Sequence, residues 1–127
     1  MSKLIYHNLS YQILGAAFAV HSTLGPGLLE SLYQKAMCIE LQRLNLNYVC
    51  QAPYKVFYHG NEIGNYFADL VVENKILVEL KAVKKLEEVM SAQTINYMKI
   101  ANIEVGYLIN FKSTSVVWKR FYHQPRM

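Results

Sequence analysis

Between His7 and Leu24 the apolar positions Leu9, Ile13, Ala16, Ala17, Val20 and Leu24 recur every three or four residues, which predicts an amphipathic helix. Asn8 or Ser10 is expected to cap its start, and Gly25-Pro26-Gly27 ends it. A second helix is expected from Leu28 to about Leu44, with Leu29, Leu32, Tyr33, Ala36 and Ile39 inward and Glu40, Gln42 and Arg43 outward. The two form a helical hairpin at the N-terminus.

From Tyr48 the pattern changes to short stretches of Val, Tyr, Phe and Ile. They are broken at Pro53, at His59-Gly60-Asn61 and at Glu73-Asn74-Lys75. Strands are predicted near 47–51, 54–59, 62–72 and 76–82. A third helix is expected from about Leu86 to Ala101, with Val89, Met90, Gln93, Tyr97 and Ile100 on one face. Val105–Asn110 and Ser115–Phe121 read as further strands, and the last five residues as frayed. This order predicts an α/β chain, more closely an α+β mixed sheet covered by helices.

With 127 residues, 53% of them hydrophobic, the chain is expected to form a single domain over 1–127. It has no apolar run of bilayer-crossing length and no secretory leader, so a cytoplasmic protein without a membrane partner is expected. Cys38 and Cys50 lack CxxC spacing and read as buried free thiols. The histidines His7, His21, His59 and His123 show neither HxxxH nor HExxH spacing. The net charge of +4 is compatible with a phosphate-backbone partner without requiring one. Lys84, Lys85, Lys99, Lys112, Lys119 and Arg120 read as a solvated surface rather than a binding stripe.

The chemistry concentrates between Asn65 and Lys81. Side chains alternate along a strand, so Glu79 and Lys81 share a face. If Glu73-Asn74-Lys75 is a three-residue loop, Val72 opposes Ile76 and Asp69 falls across from Glu79. A two-residue loop would send the carboxylates to opposite faces. Two opposed carboxylates among Ile76, Leu77, Val78 and Leu80 destabilise a sheet unless a cation joins them, and Mg²⁺ suits such a site. Lys81 could then orient or deprotonate the attacking water and offset charge growing on a phosphate. The plainer reading is an ion pair between Glu79 and Lys81 on a solvated face, with Asp69 beside a turn.

Two companions accompany this segment. Glu30 and Tyr33 project from one face of the second helix, where Glu30 would otherwise complement the helix dipole and Tyr33 fill the core. Gln93 and Tyr97 lie one turn apart on the third helix, in the stripe expected to face the sheet.

GxxExxY at 27–33, then Asp69, Glu79-Leu80-Lys81 and Gln93-xxx-Tyr97 together resemble the GxxExxY family of the PD-(D/E)XK nuclease superfamily, over nearly the whole chain. The resemblance implies a restriction-endonuclease-like αβββαβ core preceded by a helical hairpin. It also implies a Mg²⁺ (or Mn²⁺) cofactor and hydrolysis of phosphodiester bonds, with nucleic acid, DNA foremost, as partner. Carried over, Asp69, Glu79, the Leu80 carbonyl and Glu30 hold the metal, Glu30 directly or through water. Asp69, Glu79, Lys81 and Glu30 form the catalytic set, and Gln93, Tyr97 and Tyr33 contact substrate. Ala68 stands where the motif name has Pro, and the cysteine cluster of some relatives is absent. Cutting both strands with one active site per chain points to a homodimer. Two other functions stay open: a nuclease-fold module that binds nucleic acid or a protein without turnover, and a structural or antitoxin-like small protein.

Overall fold

The computed structural model describes residues 5–126. In chain order it contains α1 (His7–Leu24), α2 (Glu30–Arg43), β1 (Tyr48–Tyr58), β2 (Asn61–Val72), β3 (Ile76–Lys81), α3 (Glu88–Ala101), β4 (Val105–Asn110) and β5 (Val117–Tyr122). The strands form one sheet in sequence order. All neighbours are antiparallel except β3 and β4, which run parallel because α3 carries the chain back between them. The run α2-β1-β2-β3-α3-β4 is the αβββαβ core, with α1 before it and β5 after it.

Helices cover both faces of the sheet, so β3 and β4 are near-continuous apolar runs rather than alternating ones. On one face Ile13, Ala16, Ala17 and Val20 of α1 and Tyr33, Met37 and Leu41 of α2 pack on the sheet. On the other, Met98 of α3 closes over Ala68, Val71 and Leu77, with Tyr97 and Ala101 at the margin. A Cβ at position 106 would run into the Met98 side chain, so Gly106 lets α3 settle against β4.

Several expectations need correction. Pro53 does not split a strand: β1 is continuous because it is an edge strand, where a missing N–H breaks no ladder. The β1–β2 connection has two residues, His59 and Gly60, at φ 48° and 78°, with Tyr58 opposite Asn61. That positive pair is the turn whose twist matches a hairpin. Neither Asn8 nor Ser10 caps α1. Tyr6 stands at the cap with no capping bond from its side chain, and Ser10 is buried, accepting a hydrogen bond from Arg120 at 3.0 Å.

The helix faces are also rotated from those predicted. In α2 the buried row is Tyr33, Met37 and Leu41, leaving Leu29, Leu32 and Ile39 exposed. In α3 it is Thr94 and Met98, with Val89 exposed. Cys50 is exposed and only Cys38 is half-buried, so the thiols are not a buried pair. Arg120 leaves the solvated surface to donate to Ser10, Tyr107 and the Ile5 carbonyl. The described tail is tied rather than frayed: the Arg126 N–H donates to Asn102 and the Arg126 guanidinium to the Lys99 carbonyl.

Candidate active site

Val72 lies opposite Ile76, so Glu73-Asn74-Lys75 is the three-residue connection that the carboxylate pairing demands. Glu73 and Asn74 both take left-handed backbone conformations, at φ 54° and 58°. The β2–β3 ladder runs only from this turn to Leu70 opposite Val78. One step further, side chains replace it. The Asp69 N–H donates to Glu79 Oε2 at 3.2 Å, and the Leu80 N–H donates to Asp69 Oδ2 at 2.8 Å. Each carboxylate thus occupies the other strand's backbone, and the two acids turn inward together.

Glu79 is 7% exposed. Burial, reinforced by the charge of Asp69, pushes its carboxyl up to about 7. Burial also raises Asp69, against the pull of the Leu80 N–H and the Gln51 amide. The Lys81 charge favours the ionised form of both acids. It does so from beyond ion-pair distance, since the two ion pairs among the described residues, Arg43–Glu40 and Lys55–Glu62, lie elsewhere.

Sequence reasoning missed several residues that hold this centre. The Tyr66 hydroxyl donates to Glu79 Oε2, the same oxygen that takes the Asp69 N–H. Both donors fall on Oε2, so Oε1 is the oxygen left for a ligand. Tyr97 reaches the site through this ring, stacked on Tyr66 at 3.9 Å between centroids, with Tyr54 at 6.2 Å from the same ring. Gln51 sits at φ 53° in β1, where the pairing skips from Cys50 to Ala52, and its amide reaches Asp69 Oδ1 at 3.3 Å and Gln34 Oε1 at 2.9 Å. Asn110, 1% exposed, clamps the segment beyond Lys81: its amide donates to the Val83 carbonyl at 2.8 Å and accepts the Val83 N–H at 3.0 Å. A lone amide ending the apolar strand β4 was the available signal for Asn110. The others act across the fold and leave no local trace.

Three expected contributors differ from expectation. Tyr33 is fully buried, stacked on Phe111 at 4.5 Å. Its hydroxyl donates to the Gly25 carbonyl at 2.6 Å and accepts the Leu28 N–H at 3.2 Å. It therefore pins the loop before α2 and cannot touch substrate. Gln93 is exposed rather than held in the buried stripe, because Thr94 and Met98 take that face. Glu30 is exposed and accepts the Ala82 N–H at 3.3 Å. Its charge reaches Asp69, yet no group of three His, Cys, Asp or Glu among the described residues is placed to hold one ion.

The donor set still fits a hard divalent cation. Burial raises the proton affinity of both acids, Asp69 adds to that of Glu79, and neither pairs with a protein cation; Mg²⁺ takes one or two carboxylates and completes its shell with water and phosphate. Replacing Tyr66 by phenylalanine is expected to weaken Mn²⁺ binding about tenfold without unfolding the protein. Electron paramagnetic resonance of free Mn²⁺ reads this directly, and an unchanged affinity would deny Tyr66 any part in setting Glu79. Asn110→Ala removes the partner of the half-buried Val83 N–H and carbonyl and of the Lys112 N–H, and should cost about 2 kcal/mol in urea unfolding.

Fold and site together define a layered α/β domain with an acid pair and a lysine at the end of a central strand. The chain belongs to the PD-(D/E)XK nuclease superfamily, whose family model matches residues 7–121. Members typically use divalent metal ions. No curated protein matches the sequence. A solved structure described as "Crystal structure of SSO0001" is similar in fold, with a TM-score of 0.56 and 16% identity over 95% of this chain. The chain spans 63% of the length of that solved chain. No helix among the described residues is long and apolar enough to cross a membrane.

Proposed function

We propose that this chain is a Mg²⁺- or Mn²⁺-dependent nuclease of the GxxExxY kind that hydrolyses phosphodiester bonds of DNA. The observation that carries the reading is the convergence of a half-buried Asp69 and a buried Glu79, locked by each other's backbone and paired with no protein cation. Asp69, Glu79 and the Leu80 carbonyl hold the ion, with Glu30 joining through water from its place beside Ala82. A divalent cation bound there supplies Lewis acidity toward a phosphate oxygen and lowers the pKa of a water. Lys81 orients that water and offsets charge growing on the phosphate. The exposed Gln93 amide and the Tyr97 ring position the substrate. Two copies, each with one site, would divide the two strands of a duplex.

The test is incubation of the purified chain with single- and double-stranded DNA and RNA in Mg²⁺, Mn²⁺ or EDTA. Cleavage of DNA that stops in EDTA and in Asp69→Ala supports the reading. Mn²⁺ binding without cleavage of any substrate would instead make the chain a nuclease-fold binding module. Cleavage that persists in EDTA would exclude the reading altogether.

A further inference from the structure

A chain of side chains connects Asp69 to a pair of thiols. Gln51 donates to Asp69 Oδ1 and to Gln34 Oε1, and the Gln34 amide donates in turn to Cys50 Sγ at 2.8 Å. Cys38 follows Gln34 by one turn of α2, so both project from the same side of that helix toward β1. The Cys50 sulfur lies against Gln34, and the Cys38 thiol one turn along lies near enough to Cys50 and to the Tyr48 hydroxyl to feel both. Both cysteines are free, Cys50 exposed and Cys38 half-buried behind it. One thiol accessible to solvent and a second lying against it is the arrangement of a peroxide-sensing pair.

We infer that Cys38 and Cys50 form a reversible disulfide that loosens the Gln34–Gln51 support of Asp69. The oxidant is hydrogen peroxide. Cys50 attacks the peroxide O–O bond and becomes a sulfenic acid as one water leaves. Cys38 then attacks the Cys50 sulfur, the S–S bond forms and a second water departs, so two electrons and two thiol protons pass to the peroxide. Burial, with Cys50 adding to it, pushes the Cys38 thiol up to about 11, so the exposed Cys50 rather than Cys38 is the sulfur that meets the peroxide first. Once in the disulfide, Cys50 no longer accepts from Gln34. The amide that holds Gln51 against Asp69 must then find another partner, and the left-handed stretch of β1 at Gln51 moves with it.

The consequence for Asp69 rests on the metal-binding reading above; the disulfide does not. The experiment treats the whole chain with hydrogen peroxide, then measures intact mass, free thiols and Mn²⁺ affinity, before and after dithiothreitol. Expected are loss of two hydrogens in the monomer, loss of both free thiols, and about tenfold weaker Mn²⁺ binding, all restored by dithiothreitol. Cys38→Ser, which keeps the Cys50–Gln34 contact, should show no such mass change. If the thiols react independently, or the disulfide forms and Mn²⁺ affinity holds, the inference is overturned. If the reduced chain binds no Mn²⁺ while the disulfide still forms, it is the metal-binding reading that fails, and the link to Asp69 with it.

Discussion

Lys81→Ala is expected to slow DNA cleavage on the order of 10³-fold while leaving Mn²⁺ binding as tight as before or tighter. Lys81 acts on Asp69 and Glu79 through space and pairs with neither, so its loss takes no donor from the cation. Its backbone stays held, because the Phe111 N–H donates to the Lys81 carbonyl at 2.9 Å and Asn110 grips Val83 two residues on. A fall in cleavage that merely tracked a fall in Mn²⁺ affinity would move Lys81 from the reaction to the metal. Unchanged cleavage would remove it from the site. Single-turnover rates at saturating Mn²⁺, beside the metal titration, separate these outcomes.

The second large effect concerns the metal-free protein. The Glu79 carboxyl titrates at about 7 in the fold against an ordinary value of 4.5. Because the folded value is the higher, its contribution to stability is fully present below about pH 4.5 and is lost as pH rises through about 7. The raised Asp69 carboxyl acts in the same sense. For Glu79 alone the loss is about 3 kcal/mol, on the order of 10 °C in Tm for a domain of this size. The metal-free chain should therefore melt higher at pH 5 than at pH 8, and Mn²⁺ should raise Tm more at pH 8. Glu79→Gln keeps an acceptor for Tyr66 and the Asp69 N–H but carries no charge. It should raise the metal-free Tm at pH 8, flatten the pH dependence and abolish cleavage. A Tm at pH 8 that fell with this substitution would mean that the ionised acid is not under strain.

How far the sequence could be read depended on whether each feature was local. The register of Asp69 against Glu79 was legible because one loop length decides it. The order of elements was legible because β-branched and aromatic stretches alternate with helical spacing. The inward face of α2 was not. Leu29, Leu32, Tyr33, Ala36, Met37, Ile39 and Leu41 spread apolar positions around most of that helix, so periodicity could not choose the Tyr33–Met37–Leu41 row. For the same reason Gln93 was assigned to a stripe that Thr94 and Met98 occupy. Tyr33 carried a functional motif position, yet its two hydroxyl bonds tie down the Gly25–Leu28 loop. In the site itself the acids and the lysine were visible as a motif. Tyr66 and Gln51 were not, since what gives them their parts is a bond across the sheet.

The left-handed Gln51 and the proline two residues later also shape what the outer border of β1 can do. That border is one end of the sheet, and a free sheet end invites strands from other molecules. Here the row of backbone donors is kinked at one residue and lacks an N–H at Pro53, so a foreign strand finds no even run of partners. The same bend that brings the Gln51 amide to Asp69 thus guards the chain against fibrous stacking along β1. Any sheet-to-sheet association between copies is left to the opposite border, β5.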